Sequence, residues 1–147
     1  MSKNLKLKII TPDKLVMEGM EHQVTVPTTE GEITILAGHI PLIAGLASGD
    51  VVAMSHGEYI PIAVTGGFVE VKNEDGFTVV AILADFAEHV SDLTEEKVQQ
   101  AKMLAADLKK KAENNEIVDF EHFEAELARS LNRVKIADKW KTRKYKK

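Results

Sequence analysis

The spacing of apolar residues changes near residue 85. From Leu5 to Ala84 apolar residues recur mostly at every second position, in short runs separated by turn-forming residues. This period is typical of strands whose side chains alternate between two faces. The runs are too close together for the dozen or more residues that each parallel crossover requires. The pattern therefore predicts a sandwich or flattened barrel of short antiparallel strands.

The predicted strands begin with a run in which Leu5, Leu7 and Ile9 alternate cleanly with polar residues. The remaining strands are predicted at 15–17, 23–26, 33–36, 42–46, 50–54, 59–64, 68–72 and 78–84. The pair Gly66-Gly67 interrupts a strand pattern, which indicates either a β-bulge or a close backbone approach that only glycine permits.

After residue 85 the apolar period becomes helical. Thr94 is a suitable N-cap for a first helix ending near Asn114, and Asp119 is a suitable N-cap for a second. The connection 115–118 is short, which favours an antiparallel pair of helices. The predicted apolar face of the first helix is Val98, Ala101, Ala105, Leu108 and Ala112. The predicted stripe of the second is Phe120, Phe123, Leu127, Leu131 and Val134.

The fold class predicted from these periods is all-β plus α, with a β domain over residues 1–86 and a helical hairpin with a basic tail over residues 87–147. Alanine dominates the seam of the first helix, so each layer of the hairpin buries little apolar area. We expect the hairpin to be held weakly enough for a ligand or partner to release it.

Composition narrows the function classes. The chain has 147 residues, 29% of them charged, and a net charge of −4. It contains no cysteine, which excludes disulfides, thiolate metal sites and cysteine nucleophiles. Aromatic residues make up only 5%, so stacking platforms for bases or sugars are scarce. We expect no nucleic-acid partner, and the absence of a long apolar run predicts no direct insertion into a membrane.

Recognisable catalytic motifs are missing. The sequence has no Walker-type phosphate loop, no His-Glu-x-x-His and no Gly-x-Ser-x-Gly. The five histidines are isolated and are interpreted as surface or packing residues, so no metal site and no catalytic residue is predicted. A triad assembled across the sequence stays open at this point. The apolar, turn-rich stretch from Gly31 to Leu46 is either an exposed hydrophobic edge or an internal hairpin of the sandwich.

Several strings in this region carry a resemblance to a known family. They are EGEITILAGHIPL at residues 30–42, Gly49-Asp50-Val51, GGFVEV at 66–71 and TVVAILA at 78–84. In combination they resemble the epsilon subunit of bacterial F-type ATP synthases, and the likeness extends through the helical region. Thr34 and Ala37 depart from the family's frequent glycine and proline, which affects local turn geometry only.

The resemblance implies a flattened sandwich of ten strands followed by the helical hairpin. It implies a non-catalytic rotor subunit that lies at the cytoplasmic face of the cell membrane and contacts the gamma subunit and the rotor c-ring. Glu32 matches a loop acid near the ring, while His39 and Thr11 match positions near gamma. The hairpin is expected to oppose ATP hydrolysis by extending into the alpha/beta catalytic head.

The second helix carries basic residues that suit such a regulatory role. Arg129, Arg133 and Lys135 are expected to be attracted by acidic segments of the catalytic subunits, and the alternative is that they are solvent-facing charges. The cationic run from Lys139 to the end of the chain is interpreted as a solvated, frayed terminus, and the alternative is contact with nucleic acid or acidic lipid. The sequence does not reveal whether the tail beyond Trp140 adds contacts.

Some relatives bind ATP on the folded hairpin, and here the corresponding motif is partial. Glu88, Leu93, Arg129 and Arg133 match, but Thr94 replaces an aspartate, Lys97 an arginine and Val98 an alanine. Lysine does not reproduce the planar fork of arginine at a bidentate contact. We therefore expect no cofactor, and at most weak regulatory ATP binding.

Two other classes of function are weighed against the rotor subunit. A free-standing sandwich that binds a ligand predicts exposed aromatic residues, which are scarce here. An independent hydrolase requires a triad that the sequence does not reveal. Copurification with a gamma-type subunit would discriminate the rotor subunit from the free-standing sandwich.

Overall fold

The fold is that of a computed structural model, which describes residues 4–117 and 119–146. Eight strands occupy its first part and two α-helices its last. The strands are β1 Leu5–Ile10, β2 Leu15–Glu21, β3 Gln23–Thr28, β4 Gly31–Leu36, β5 Leu42–Gly45, β6 Gly49–Ser55, β7 Glu58–Glu74 and β8 Phe77–His89. The helices are α1 Glu95–Glu113 and α2 Phe120–Trp140, preceded by a single 3-10 turn at Val90–Asp92.

The strands form one folded sheet in the order β2-β1-β8-β7-β6-β3-β4, with β5 paired to β7. The pairings are antiparallel, as predicted, except that β1 and β8 run parallel. The sequence argument against parallel neighbours applies to strands that follow each other closely. It does not apply to β1 and β8, because the whole domain lies between them.

The resemblance predicts ten strands, whereas the described residues contain eight. The reason is that β7 has 17 residues and β8 has 13, so each passes through both layers of the sandwich. The first part of β7 pairs with β6 and the second part with β5. The predicted runs 59–64 and 68–72 are therefore two parts of one strand.

Gly66 and Gly67 mark the point where β7 changes layers. Before the glycines the even-numbered residues Ile62 and Val64 face the main core. After them the odd-numbered residues Val69 and Val71 face it, so the strand turns its other face inward. Pairing with β8 continues without an inserted residue. A Cβ on Gly67, whose φ is 114°, would collide with the Leu83 carbonyl and lie 2.9 Å from Ala84 Cα. Close approach, rather than a bulge, is thus the reason for glycine.

The main core lies between the two layers and is filled by aliphatic side chains. It includes residues from both ends of the domain, such as Leu5 and Ile82, which are completely buried. The other fully buried aliphatic side chains of this cluster are Leu7, Ile9, Val24, Val26, Ile35, Val51, Ile62, Val64, Val69 and Val80. The sandwich therefore has an apolar core of its own, to which neither helix contributes a buried residue in the part of the chain that the structure describes.

Both predicted helix caps are confirmed. Thr94 Oγ1 accepts a hydrogen bond from the Lys97 amide at 3.2 Å, and Asp119 Oδ1 accepts one from the His122 amide at 3.1 Å. The start of α1 and the end of α2 line the same cleft, so the helices are antiparallel. Within the described residues, neither helix combines the length and apolar character needed to cross a bilayer. The boundary at residue 86 stays a prediction, and β8 continues to His89.

The predicted apolar stripe of α2 is partly wrong. Phe120 is 63% exposed and Leu131 is 42% exposed. The buried positions of this helix are Ser130, Asn132, Ile136 and Trp140. The reason is that α2 packs against α1 and against the sandwich, so it has two contact faces and the second of these is largely polar. On α1 the predicted face is confirmed at Ala101, Ala105 and Leu108, while Ala112 is exposed.

Candidate functional site

The junction between α2 and the sandwich is built on one row of outward-facing residues. Asp50 on β6 lies opposite Ala63 on β7, and Ala63 lies opposite Glu88 on β8. Their neighbours Val51, Ile62 and Ala87 point into the main core, so this row occupies the outer face. Two acids thus flank one small apolar residue, and α2 covers all three.

Three side chains of α2 match this row. The Arg133 guanidinium donates from Nε to Glu88 Oε1 at 2.6 Å and from a terminal nitrogen to Oε2 at 3.3 Å. Trp140 Nε1 donates to Asp50 Oδ2 at 2.7 Å. Ile136 lies between them, in an apolar cluster with Ala63. Arg133 therefore meets Glu88, and Trp140 meets Asp50. Ile136 meets Ala63 between them.

The spacing explains the match. Seven helical residues separate Arg133 from Trp140, which is about 10.5 Å at the usual rise per residue. Asp50 and Glu88 are two strands apart, or about 9.6 Å at the usual strand separation. A helix that crosses the strands at a steep angle therefore satisfies both acids at once. A shift by one turn would break both contacts.

A polar anchor lies beside this row. The Asn132 side-chain amide donates to the carbonyls of Gly49 and Val64, at 3.1 and 3.0 Å. Gly49 and Val64 lie opposite each other on β6 and β7, so one side chain spans two strands. Asn132 is buried, and a buried amide without partners would be costly. These bonds fix the position of α2 on the sheet.

Two of the predicted basic residues stack on one aromatic ring. The guanidinium carbons of Arg129 and Arg133 lie 4.4 and 5.1 Å from the centroid of Phe86. Lys135, the third predicted basic residue, is exposed on the same helix. In this docked arrangement the side chains of Arg129 and Arg133 are engaged in contacts with the sandwich. Their predicted contacts with acidic partner segments would require release of the helix.

The structure brings together only part of the predicted nucleotide-binding set. Glu88, Arg129 and Arg133 meet around Phe86, where Glu88 and Arg133 neutralise each other. Leu93 packs with Val90, Ile136 and Trp140 in the apolar cluster and lines a cleft of about 610 Å³ between the helices. Lys97 is exposed on the first turn of α1 and does not line this cleft.

The residues predicted to face partners occupy three different places. Glu32 is exposed on β4, opposite Pro27 of β3. His39 is half-buried in the loop after β4, and its Nδ1 lies 2.6 Å from the Ile40 carbonyl oxygen. Thr11 is buried, and its hydroxyl bonds with the backbone of Lys14 across a tight turn. The structure thus gives Thr11 a local structural role and does not bring these three residues together.

An exposed apolar row crosses the other half of the sheet. Phe68 lies opposite Leu83, Leu83 beside Ile10, and Ile10 opposite Leu15. Phe68 is 61% exposed, and Leu83 and Leu15 are each 50% exposed. Ile43 on β5 and Ile40 before it are also exposed. The exposed-edge interpretation of the stretch from Gly31 to Leu46 is therefore supported over that of an internal hairpin.

Comparison with known families decides the identity of the fold. The model of the family described as ATP synthase, delta/epsilon chain, beta-sandwich domain matches residues 4–90. The chain belongs to this family. Over 133 residues it is 40% identical to the ATP synthase epsilon chain of Halalkalibacterium halodurans, covering 90% of this chain and 96% of that one. It is 34% identical to the epsilon chain of Desulforamulus reducens over 138 residues, covering 94% and 100%.

The same architecture occurs in a solved assembly. A chain of the Euglena gracilis mitochondrial ATP synthase structure, which comprises OSCP, F1 and c-ring, superposes with a TM-score of 0.63 at 22% identity. The match covers 96% of this epsilon-family chain and 81% of that chain. ATP synthase epsilon chains are non-catalytic subunits, and the site of interest here is accordingly a contact surface. The described residues contain no group of three or more His, Cys, Asp or Glu placed to hold a metal ion.

Sequence reasoning missed the residues that fix the junction. The sequence indicates Asp50 only as part of a family motif, and it carries no motif that marks Phe86, Asn132 or Trp140. One signal was available, because Asn132, Ile136 and Trp140 follow each other at a spacing of four and share a helix face. The larger residues Phe120 and Leu131 favoured a different face.

Proposed function

We propose that this epsilon-family chain is a rotor subunit of an F-type ATP synthase at the cytoplasmic face of a bacterial membrane. Its sandwich docks on the gamma subunit and the c-ring, and its hairpin regulates ATP hydrolysis by reaching the catalytic head. The observation that carries the regulatory part is the polar junction. A separate core holds the sandwich together, while the hairpin is held by a smaller apolar cluster around Ile136 and Trp140 and by charged and amide contacts.

The exposed apolar row is the proposed contact for gamma. Phe68, Leu83 and Leu15 form a continuous strip on a rigid sheet, and exposed apolar strips of this kind usually mark protein interfaces. Ile43 extends the strip onto β5, and Thr11 follows Ile10 at its edge. Glu32, which is exposed on the opposite edge strand β4, is proposed to lie near the ring.

The polar junction favours a hairpin that can leave the sandwich. When α2 lifts off, Asp50, Glu88 and Arg133 exchange protein partners for water, so each broken contact costs a net of about 1–3 kcal/mol, well below its strength in an apolar medium. The apolar part of the junction is smaller than the main core, with Ala63, Val90, Ile136 and Trp140 as its buried members. Release would also free Arg129 and Arg133 from Phe86, giving a basic helix face for acidic segments of the head.

We propose at most weak ATP binding at this hairpin. Arg133 and Glu88 already satisfy each other, so a nucleotide would have to compete with a bidentate ion pair. Thr94 caps α1 instead of supplying a carboxylate. Titration calorimetry of the isolated chain measures this directly, and tight binding would contradict the proposal.

The docking and regulatory parts have separate tests. For docking, Phe68→Asp places a charge in the apolar row and is expected to weaken binding to a gamma-type subunit at least tenfold, because a charge is costly to bury. Met103→Asp makes the same change at an exposed position of α1 and serves as the matched control. Equal binding by both variants and the parent chain would rule out this surface.

For regulation, ATP hydrolysis by the reconstituted complex is compared between the full chain and a chain ending at Leu93, which keeps β8 and the 3-10 turn. Loss of the hairpin is expected to raise hydrolysis. A second comparison, with the hairpin disulfide-linked to the sandwich in its docked position, is expected to raise it equally. Unchanged hydrolysis in both would reject inhibition by the hairpin while leaving the docking proposal intact.

A further inference from the structure

The end of α2 and the residues after it form a compact structure around Trp140, here called the clasp and comprising residues 139–146. The Trp140 side chain is 4% exposed. Tyr59 of β7 lies on it with ring centroids 6.1 Å apart, and Tyr145 contacts it edge-on at 5.9 Å. The chain therefore turns back after α2 and covers its own tryptophan.

The main polar contact of the clasp on the sandwich is Asp50 of β6. Its carboxylate accepts from Trp140 Nε1 at 2.7 Å and lies 2.9 Å from Lys139 Nζ. The Asp50 side chain is only 7% exposed, whereas that of Lys139 is 33% exposed. A buried carboxylate needs such partners, because burying an unpaired charge is costly. Within the described residues, the side-chain partners of Asp50 are Lys139 and Trp140, and both belong to the clasp.

The tail closes the clasp from outside. The Lys146 amide donates to the Tyr59 carbonyl at 2.8 Å, which ties the tail to the first part of β7. The Arg143 guanidinium carbon lies 5.6 Å from the Trp140 ring centroid. Asp50, Tyr59 and Ala63 thus give the sandwich side of the clasp, on the same two strands that Asn132 spans.

We propose that the clasp holds the hairpin on the sandwich without any bound nucleotide. Among the described residues, Asp50 and Trp140 find hydrogen-bond, ionic and ring partners within the chain, and we therefore expect docking without a ligand. Release then means breaking the clasp, which a partner that captures the basic tail can do. The regulatory consequence rests on the proposed function, but the docking equilibrium of the isolated chain does not.

The test uses the absence of cysteine from the sequence. Ala63→Cys places a single thiol under Ile136, at a position only 2% exposed, so alkylation requires the hairpin to lift off. When docking is fast compared with alkylation, the observed rate is proportional to the undocked fraction. The full-length protein carrying Ala63→Cys, free of nucleotide, is expected to react far more slowly than the same protein in urea.

Two changes to the clasp are made in this background. Asp50→Ala removes the acceptor of Trp140 and the partner of Lys139, and the alkylation rate is expected to rise about tenfold or more. Asp138→Ala is the matched control, because Asp138 is an exposed acid beside the clasp. Ending the chain at Lys141 removes Arg143, Tyr145 and Lys146 without touching the sandwich, and is also expected to raise the rate.

The outcomes are distinct. Faster alkylation in Asp50→Ala and in the shortened chain, with Asp138→Ala unchanged and no slowing by added ATP, supports the clasp. Unchanged rates, equal effects in the control, or protection that appears only with ATP would overturn it. If Asp50→Ala fails to fold, the shortened chain decides. The proposed rotor role is tested separately, by measuring gamma binding and ATP hydrolysis.

Discussion

The sandwich core and the junction with α2 are held together by different chemistry. The core is a cluster of buried aliphatic side chains, such as the completely buried Leu7 and Ile82. The junction combines a smaller apolar cluster around Ile136 and Trp140 with two ion pairs, an indole hydrogen bond and the side-chain amide of Asn132. Aliphatic groups gain nothing from re-exposure to water, whereas charged groups are well solvated there. We therefore expect the sandwich to stay folded while α2 docks on it reversibly.

The largest effect on stability is expected from truncating a side chain of the core. Ile82→Ala should lower the free energy of unfolding of the sandwich by about 2–5 kcal/mol, because it leaves a cavity among side chains that cannot collapse into it. Urea denaturation followed by circular dichroism measures the change. Ile43→Ala is the control, since Ile43 is 71% exposed and should cost less than about 0.5 kcal/mol. Equal losses at both positions would contradict the two-layer core.

A smaller effect is expected at the junction. Asn132→Ala removes both hydrogen bonds to the Gly49 and Val64 carbonyls and should weaken docking of α2 by about 1–3 kcal/mol. The stability of the sandwich itself should not change. Alkylation of a cysteine at position 63 reports docking, urea denaturation reports the sandwich, and Lys135→Ala controls for a change on an exposed face. A loss confined to the urea transition would refute the separation of the two regions.

The smallest effect is expected within the hairpin. Asp119→Ala removes the side chain that caps α2 and should cost about 1 kcal/mol of local stability in its first turn. Hydrogen exchange of the His122 amide should accelerate severalfold, while amides near Ile136 keep their protection. Glu124→Ala, at an exposed position further along α2, is the control. If exchange near Ile136 accelerates equally, the cap also supports the junction.

Local features of this chain were predictable because they depend on neighbours in the sequence. The caps Thr94 and Asp119 follow from side-chain oxygens placed before helical runs, and both are confirmed. The strands follow from alternation, which sheet burial enforces. Gly66-Gly67 was located correctly, but only the paired strand β8 reveals that the reason is a carbonyl of Leu83.

The face of α2 was harder to predict because two surfaces compete for it. Hydrophobicity alone favours Phe120 and Leu131, which the structure leaves exposed. The sandwich instead selects Asn132 and Arg133, because the opposing surface carries carbonyls and Glu88. Nothing near α2 in the sequence indicates that surface, since it lies more than forty residues away.

The sequence by itself determined the two regimes of the chain, the positions of its strands and helices, and the family to which the motifs point. These follow from periodicity and from contacts between near neighbours. Only the tertiary structure decided that Asp50, Ala63 and Glu88 form one row, and that Arg133, Ile136 and Trp140 meet it. Such a match depends on strand register and helix placement, which are fixed by the packing of the whole chain.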